Sequence, residues 1–196
     1  MNVLNLGIIP SPLTSIIAAS GCQVNEYNDE VDLLFIKNNS IDFIVSYRYR
    51  HIIREEVIKY FPKKIINLHI SLLPWNKGAD PNLWSFLEDT PKGVSIHYID
   101  KGIDTGDILF QKELCFDEQK ETLASSYTKL NEEIIELFKI KWPLLIEGKA
   151  KSFKQPTGGS FHLSSDKKEF EHLLVDYHYE TYIKNLIGKA NTKKSE

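Results

Sequence analysis

An asparagine and a histidine stand two residues apart inside an apolar run, in the stretch IINLHISLLPWNKGADP that begins at Ile65. Side chains two apart on a β-strand point to the same face, so this spacing predicts that Asn67 and His69 project together. Asparagine offers a neutral hydrogen-bond donor, and histidine gains or loses a proton near neutral pH. Such a pair can polarise a carbonyl group and stabilise the oxyanion that forms when a nucleophile attacks it.

This chemistry also needs a group that orients the histidine or relays protons, and a glycine-rich turn later in the chain offers carboxylates. The stretch YIDKGIDTGDI contains Asp100, Asp104 and Asp107. The residues alone do not choose among these three aspartates. Taken singly, an asparagine or histidine at a strand end more often bonds to loop backbone, and an aspartate in such a turn more often forms the turn.

The elements that must position these residues follow a strand–helix alternation. The apolar runs NVLNLGII, DFIVSY and KIINLHI are separated by segments whose apolar residues have helical spacing. This alternation predicts an α/β, Rossmann-like fold, in which a mostly parallel sheet is flanked by helices and followed by a short C-terminal appendage. Open sheets of this kind bind ligands at the carboxyl ends of their strands, where Asn67 and His69 are expected to lie.

The second half of the chain predicts a short helix near residues 82–87 and two strands, GVSIHYI and DILFQKEL. A long helix follows Thr122, which is placed to cap it, and Pro143 is expected to kink or end that helix. Gly148 suits a terminal position. A further helix is expected in the last segment, and the final residues, 190–196, are expected to fray.

Composition and sequence pattern disfavour several classes of protein. The 196 residues are 42% hydrophobic and 26% charged, with a formal net charge of −3, which disfavours broad, charge-driven binding to nucleic acid. The two cysteines, Cys22 and Cys115, lack the close spacing of metal ligands and indicate reduced thiols in a cytoplasmic protein. The first residues do not resemble a signal peptide, and no apolar run approaches the roughly 20 residues that span a bilayer.

Two linked motifs, NLHISLLPWNKGADP and GVSIHYIDKGIDTGDIL, resemble the catalytic domain of 10-formyltetrahydrofolate-dependent formyltransferases. Lys101 stands where relatives often carry an acidic residue. The resemblance implies that Asn67 and protonated His69 stabilise the oxyanion formed when an amine attacks the formyl carbon. It singles out Asp104 as the group that holds His69 and helps to relay the proton of the amine. It implies no covalent enzyme intermediate and no catalytic metal.

The resemblance further implies a formyltransferase catalytic domain over residues 1–150 and an extension over residues 151–196 that packs on it. Main-chain groups of segments 47–53 and 100–104 would contact the pterin of the folate. The candidate cofactor-binding residues are Tyr49, Arg50, Ile52, Asp100 and Asp104. The candidates for binding the amine substrate are Trp75, Lys77, Trp84 and His97. Tryptophan is often a core residue, Arg50 and Lys77 can be ordinary surface charges, and His97 suits a structural hydrogen bond as well as a pocket wall.

The identity of the amine separates the relatives. Glycinamide ribonucleotide formyltransferase has a Gly-Ser-rich phosphate loop where this chain has IPSPLTS; Ser11 and Thr14 could still hold a phosphate, or the segment is a rigid turn. Methionyl-tRNA formyltransferase has a separate C-terminal β-domain, whereas much of the stretch after Leu114 is helical here, and the near-neutral charge disfavours tRNA. The likeness is greatest to the bacterial enzymes that formylate nucleotide-linked deoxyamino sugars for surface polysaccharide.

The sequence therefore predicts a cytoplasmic N-formyltransferase that uses 10-formyltetrahydrofolate and a nucleotide-linked amino sugar, in a pathway such as lipopolysaccharide O-antigen biosynthesis. The expected partner is a small-molecule amine, and binding to nucleic acid or to a membrane is not expected. A homodimer is left open. Two alternatives remain: glycinamide ribonucleotide as the acceptor, or a folate- or nucleotide-binding module without catalysis.

Overall fold

The larger sheet of the protein has six strands. The structure is a computed structural model, and it describes residues 1–174 and 178–191. The sheet contains β1 (Asn2–Gly7), β2 (Gln23–Tyr27), β3 (Phe43–Tyr47), β4 (Ile65–His69), β6 (Gly93–Tyr98) and β7 (Ile108–Glu113), and a separate pair contains β5 (Lys77–Gly78) and β8 (Phe161–His162). The strand order is β2-β1-β3-β4-β6-β7.

The sheet is mixed but mostly parallel, which confirms the predicted Rossmann-like fold. Strands β2, β1, β3 and β4 pair in parallel. Strand β6 is antiparallel to its neighbour β4. This direction is shown by the N–H of Ile99, just beyond the end of β6, which donates to the carbonyl of Ile65 at the beginning of β4. Strand β7 returns from β6 through a short turn, across which the N–H of Tyr98 donates to the carbonyl of Asp107. Strand β3 is buried along its whole length, as expected for a strand covered on both faces.

Five α-helices are found within the described residues: α1 (Leu13–Ala18), α2 (Leu33–Asn38), α3 (Glu55–Tyr60), α4 (Pro81–Leu87) and α5 (Leu123–Ile146). The predicted cap of α5 is confirmed, since the Thr122 hydroxyl accepts from the N–H of Ser125 at 3.1 Å. Pro143 lies inside α5 and does not end it, and Gly148 follows the helix with a φ of 65°. The last segment forms 3₁₀ helices instead of the expected α-helix, over Asp166–Leu174, His178–Glu180 and Ile183–Asn185.

The chain divides into two compact units. The first consists of residues 1–69, 96–110 and 134–155, and the second of residues 70–95 and 111–133 with the described residues from 156 onward. In the first unit Leu4, Ile44 and Ile65 of the sheet pack with Ile36 of α2 and Val57 of α3.

The core of the second unit joins α4 to the 3₁₀ helices through the buried side chains of Leu83, Phe86, Phe170 and Ile183. The predicted division of the chain near residue 150 stays a prediction. The expected fraying concerns residues 190–196, of which 192–196 lie outside the described part of the chain. Among the described helices, none combines the length and the apolar character needed to cross a membrane.

Candidate functional site

A cluster of polar side chains occupies one face of β4 and β6, in the first unit. Alternation along β4 turns Asn67 and His69 to the same face, while Ile66 and Leu68 between them are buried on the other. On the neighbouring strand, His97 lies opposite Asn67, and its Nε2 is 3.3 Å from the Asn67 Nδ2 atom. The predicted pairing of Asn67 with His69 is therefore present, and a second histidine stands beside it.

The turn between β6 and β7 brings Asp104 onto this cluster. One carboxylate oxygen of Asp104 accepts from Asn67 Nδ2 at 3.2 Å and lies 3.4 Å from His97 Nε2. The other oxygen lies 3.7 Å from His69 Nδ1, which is within ion-pair distance but longer than a hydrogen bond. A single carboxylate thus contacts all three side chains, and the structure brings together the three residues predicted for catalysis.

The other aspartates of the turn have different positions. The carboxylate of Asp100 accepts from the N–H of Gly102 at 3.0 Å and from the Thr105 hydroxyl at 2.6 Å, so it closes the turn from within. Asp107 immediately precedes the return strand β7, and its carbonyl accepts from the N–H of Tyr98. Position within the fold, which the sequence alone did not provide, therefore distinguishes Asp104 from its two neighbours.

Backbone geometry explains the glycine pattern of the turn. Asp104 has a φ of 53°, in the left-handed region that aspartate tolerates better than most residues. Two residues later, a Cβ atom added to Gly106 would overlap the carbonyl oxygen of Tyr98. Only glycine lets the turn pass this close to the end of β6, and this close passage places Asp104 over the strand pair.

The hydrogen-bonding roles within the cluster follow from His97. Its Nδ1 lies 2.8 Å from the carbonyl oxygen of Tyr98, and because a carbonyl can only accept, Nδ1 carries a hydrogen. In a neutral ring Nε2 is then an acceptor and receives one hydrogen of the Asn67 amide, whose second hydrogen goes to Asp104. His97 is only 1% exposed, so its position favours a structural hydrogen bond over a pocket wall.

His69 is held between Asp104 and His97. It is 7% exposed, and its ring meets the His97 ring edge to face, with centroids 6.2 Å apart. Because Nδ1 faces the Asp104 carboxylate, the orientation of the His69 ring is fixed. The negative charge of this carboxylate stabilises the imidazolium when it forms. This arrangement can deliver a positive hydrogen-bond donor to a developing oxyanion.

The two segments predicted for the folate also lie in the first unit. After β3 the chain exposes Arg50 and Ile52, the latter to 80%, and the turn after β6 exposes Ile103 to 47%. The Tyr49 hydroxyl donates to the carbonyl of Asp29 at 2.7 Å, and burial raises its pKa, so that it remains a protonated donor. These segments therefore present apolar side chains and backbone, while Asp100 is occupied within its own turn.

The residues predicted for the amine lie mostly in the second unit. Trp75 and Lys77 are half-buried, and Lys77 belongs to β5, which pairs with β8. Trp84 is 4% exposed, and its ring stacks on His162 with centroids 3.8 Å apart. The His162 Nε2 atom lies 3.2 Å from a carboxylate oxygen of Glu88. The position of Trp84 therefore favours the core role that the sequence had left open.

The segment after β1 already binds a carboxylate. One oxygen of Glu26 accepts from the N–H of Ser11 at 3.0 Å and from the hydroxyl of Thr14. The two groups considered for holding a phosphate are thus occupied by an acidic side chain, which would also repel the phosphate.

Sequence reasoning missed Gln155, whose side chain contacts the Asp104 turn from a distant part of the chain. Its Nε2 donates to the carbonyl oxygens of Asp104 and Gly106, at 2.7 and 2.9 Å. Glutamine belongs to no motif here and is 51 residues from Asp104. Nothing in the sequence signals this contact.

Comparison with known proteins identifies a family and several relatives. The family model described as formyl transferase matches residues 8–138. The solved structure of the formyltransferase PseJ from Anoxybacillus kamchatkensis, in complex with UDP-4,6-dideoxy-4-formamido-L-AltNAc and tetrahydrofolate, is 46% identical to this chain. The two superpose with a TM-score of 0.92 over 97% of this chain and 100% of the other.

More distant similarities were also found. The N-formyltransferase from Helicobacter canadensis, solved with folinic acid and dTDP-3-aminofucose, is 21% identical over 100% of this chain and 81% of its own, with a TM-score of 0.69, which shows the fold alone. The curated methionyl-tRNA formyltransferase from Bacillus mycoides is 36% identical over 137 residues, covering 69% of this chain and 43% of the relative. The chain spans less than half the length of the curated relatives that it matches.

Proposed function

Since the chain belongs to the formyl transferase family, we propose that it transfers the formyl group of 10-formyltetrahydrofolate to the primary amine of a nucleotide-linked deoxyamino sugar. The observation that carries the proposal is the single Asp104 carboxylate in contact with Asn67, His69 and His97. The donor and the class of acceptor are supported by the 46% identical PseJ, which was solved with a formamido sugar on UDP and with tetrahydrofolate.

In this proposal the folate supplies an activated formyl group, and residues of the first unit provide the rest. Asn67 and His69 donate hydrogen bonds to the formyl oxygen while negative charge develops on it. Asp104 holds His69 and accepts the proton that the attacking amine loses, which then passes to the departing folate nitrogen. The new bond from the formyl carbon to the amine forms as the bond to the folate nitrogen breaks, and no side chain is acylated.

The resting geometry adds one requirement to this mechanism. While the His97 ring is neutral, both hydrogens of the Asn67 amide are donated, one to His97 and one to Asp104. An oxyanion can receive one of them only if a present bond is exchanged for the new one. Since Asp104 also has His69 beside its other oxygen, we propose that the bond from Asn67 to Asp104 is the one exchanged.

The exposed loops of the first unit fit the proposed donor. Ile52 and Ile103 offer apolar contact for a planar ring, and the backbone on either side of them offers donors and acceptors for its polar edge. We propose that the backbone of residues 47–53 and 100–104 contacts the pterin, with Tyr49, Arg50, Ile52, Asp100 and Asp104 as the nearest residues. Trp75 and Lys77 remain the candidates for contacting the acceptor.

Among acceptors, glycinamide ribonucleotide is disfavoured by Glu26. In the relatives that use it, the segment after the first strand grips the ribose phosphate, and here the Glu26 carboxylate occupies the Ser11 N–H and the Thr14 hydroxyl. This contact disfavours glycinamide ribonucleotide and leaves the sugar nucleotide as the preferred acceptor.

We further propose that the protein acts in the cytoplasm, in the synthesis of a surface polysaccharide such as O-antigen. The free thiols of Cys22 and Cys115 are compatible with a reducing compartment. A catalytic domain over residues 1–150 with an extension over residues 151–196, and assembly into a homodimer, belong to the same proposal. Light scattering of the purified protein tests the homodimer.

The test is a formylation assay with an acceptor panel. Wild-type protein and 10-formyltetrahydrofolate are incubated with UDP- and dTDP-linked 3-amino and 4-amino deoxysugars, with glycinamide ribonucleotide and with methionyl-tRNA, and formylated products are detected by mass spectrometry. We expect a formylated sugar nucleotide from the wild type and none from His69→Ala. His172→Ala, which removes an exposed histidine, is the matched control and should keep full activity.

Two results would overturn the proposal. Wild-type turnover in His69→Ala would remove the catalytic assignment. Tight folate binding without a formylated product from any amine would favour the non-catalytic binding module. Formylation of glycinamide ribonucleotide alone would keep the reaction and replace the acceptor.

A further inference from the structure

The chain that follows α5 returns to the sheet beside the catalytic turn. Beyond Gly148 it runs next to the first residue of β7, where Ile108 and Phe153 exchange both backbone hydrogen bonds, at 2.8 and 2.9 Å. This antiparallel bridge fixes the path of the segment through its backbone alone. Gln155, two residues beyond Phe153, is thereby placed next to the turn that contains Asp104.

The Gln155 side chain joins two carbonyl groups of that turn. Its single amide nitrogen donates one hydrogen to the carbonyl of Asp104 at 2.7 Å and the other to the carbonyl of Gly106 at 2.9 Å. Asp104 itself has a left-handed backbone in this turn, with a φ of 53°. Among residue types, glutamine fits this position because asparagine is one methylene shorter and an ionised glutamate has no hydrogen to donate.

From this geometry we infer that Gln155 is a positioning residue for the Asp104 carboxylate, an inference that rests on the proposed formyl transfer. The carboxylate must meet Asn67 and His69 at once, and its location is set by the backbone that Gln155 holds. We call the two bonds from Gln155 to the carbonyls of Asp104 and Gly106 the Gln155 clamp. Without this clamp both carbonyls hydrogen-bond to water, and the turn can move the carboxylate away from His69. Displacement of a reacting group by about 1 Å is enough to lower a rate about 100-fold.

The inference is tested with Gln155→Leu, which removes the donor at similar size, and Gln155→Glu, which also adds a charge. The control is Asn39→Ala, which removes an amide-to-carbonyl bond of 2.8 Å to Phe35 in the same unit. We expect kcat to fall about 10- to 100-fold in Gln155→Leu, with KM for both substrates within about twofold of the wild type. Asn39→Ala should keep the wild-type kcat.

A pH profile separates positioning from a general loss of structure. In Gln155→Glu, protonation restores one donor towards the two carbonyls. The kcat of this variant relative to Gln155→Leu should therefore rise several-fold as the pH falls from about 8 towards about 5. A flat ratio, or a kcat in Gln155→Leu equal to the wild type, would overturn the inference and leave the proposed function intact.

Hydrogen exchange gives a readout that does not depend on activity. Backbone amides of residues 99–108 should exchange faster in Gln155→Leu than in the wild type and in Asn39→Ala, whereas exchange in β1 and β3 should not change. If the wild type transfers no formyl group, the proposed function fails. Hydrogen exchange then still tests whether the Gln155 clamp holds the turn. Faster exchange confined to the turn supports it, and unchanged exchange refutes it.

Discussion

The Nδ2 atom of Asn67 lies 3.3 Å from Nε2 of His97, on the neighbouring strand. The other ring nitrogen of His97 donates to the carbonyl of Tyr98, so the nitrogen that faces Asn67 is an acceptor when the ring is neutral. This contact and the bond from the same Nδ2 atom to Asp104 together decide which end of the Asn67 amide points into the cluster. They turn the amide hydrogens, and not the amide oxygen, towards the place where an oxyanion would form.

Replacing His97 should therefore weaken catalysis without direct loss of a substrate contact. In His97→Leu we expect kcat to fall about 10- to 100-fold, because Asn67 then loses one of the two acceptors that hold its amide, while KM for the amine stays within about twofold. Steady-state kinetics on the preferred acceptor measure this. In the double variant with Asn67→Ala the two losses should not multiply, since both act through the same amide. Fully multiplicative losses would mean that His97 acts independently of Asn67.

Asp104→Asn isolates the charge of the carboxylate from its place in the turn. Asparagine has similar size and tolerates the left-handed backbone, so the free energy of unfolding should change by less than about 1 kcal/mol. The loss of the negative charge beside His69 and of the proton acceptor should lower kcat/KM on the order of 1,000-fold. Asp107→Asn, in the same turn, is the control and should retain kcat/KM. Equal losses in both variants would contradict the selection of Asp104.

Local patterns predicted the parts of the site that depend on a single element. Alternation along β4 is enough to place Asn67 and His69 on one face, and the glycines of GIDTGD are enough to predict a tight turn. The choice of Asp104 over Asp100 and Asp107 came from the family resemblance. In physical terms it depends on how the turn folds back over β4, which is a tertiary relationship.

The contacts that sequence reasoning missed join residues far apart in the chain. Gln155 reaches Asp104 across 51 positions, and the bridge that places it is made by the backbone of Phe153, which no side-chain pattern reveals. Glu26 reaches Ser11 from the next strand, so the segment IPSPLTS could be interpreted as an anion site until that carboxylate was located. The burial of Trp84 could likewise not be predicted from the sequence, since tryptophan is common both in protein cores and in ligand-binding sites.

Gly106→Ala should show how closely the turn depends on contact with β6. An added Cβ overlaps the carbonyl oxygen of Tyr98, so the backbone must move, and the expected loss of unfolding free energy is about 2–4 kcal/mol. Gly148→Ala is the control, because Gly148 has space around it and only its φ of 65° opposes a side chain, at about 1 kcal/mol. Urea unfolding measures both. A smaller loss of unfolding free energy in Gly106→Ala than in Gly148→Ala would show that the backbone of the turn can move at little cost.

Trp84→Phe tests whether this tryptophan belongs to the core or to the substrate site. Its Nε1 has no hydrogen-bond partner among the described residues, so phenylalanine removes no bond and reduces only the stack on His162 and the filled volume. The free energy of unfolding should fall by about 1–3 kcal/mol, with KM for the amine within about twofold of the wild type.

The matched replacement is Trp142→Phe in the first unit. Trp142 is also buried, but its Nε1 donates to the Ser20 hydroxyl at 3.0 Å, so this variant loses a hydrogen bond as well as volume and should be the less stable of the two. A rise in KM for the amine of about tenfold in Trp84→Phe, with unchanged stability, would place Trp84 against the substrate instead. The opposite pattern, lower stability with unchanged KM, leaves Trp75 and Lys77 as the side chains to change next in the search for the acceptor site.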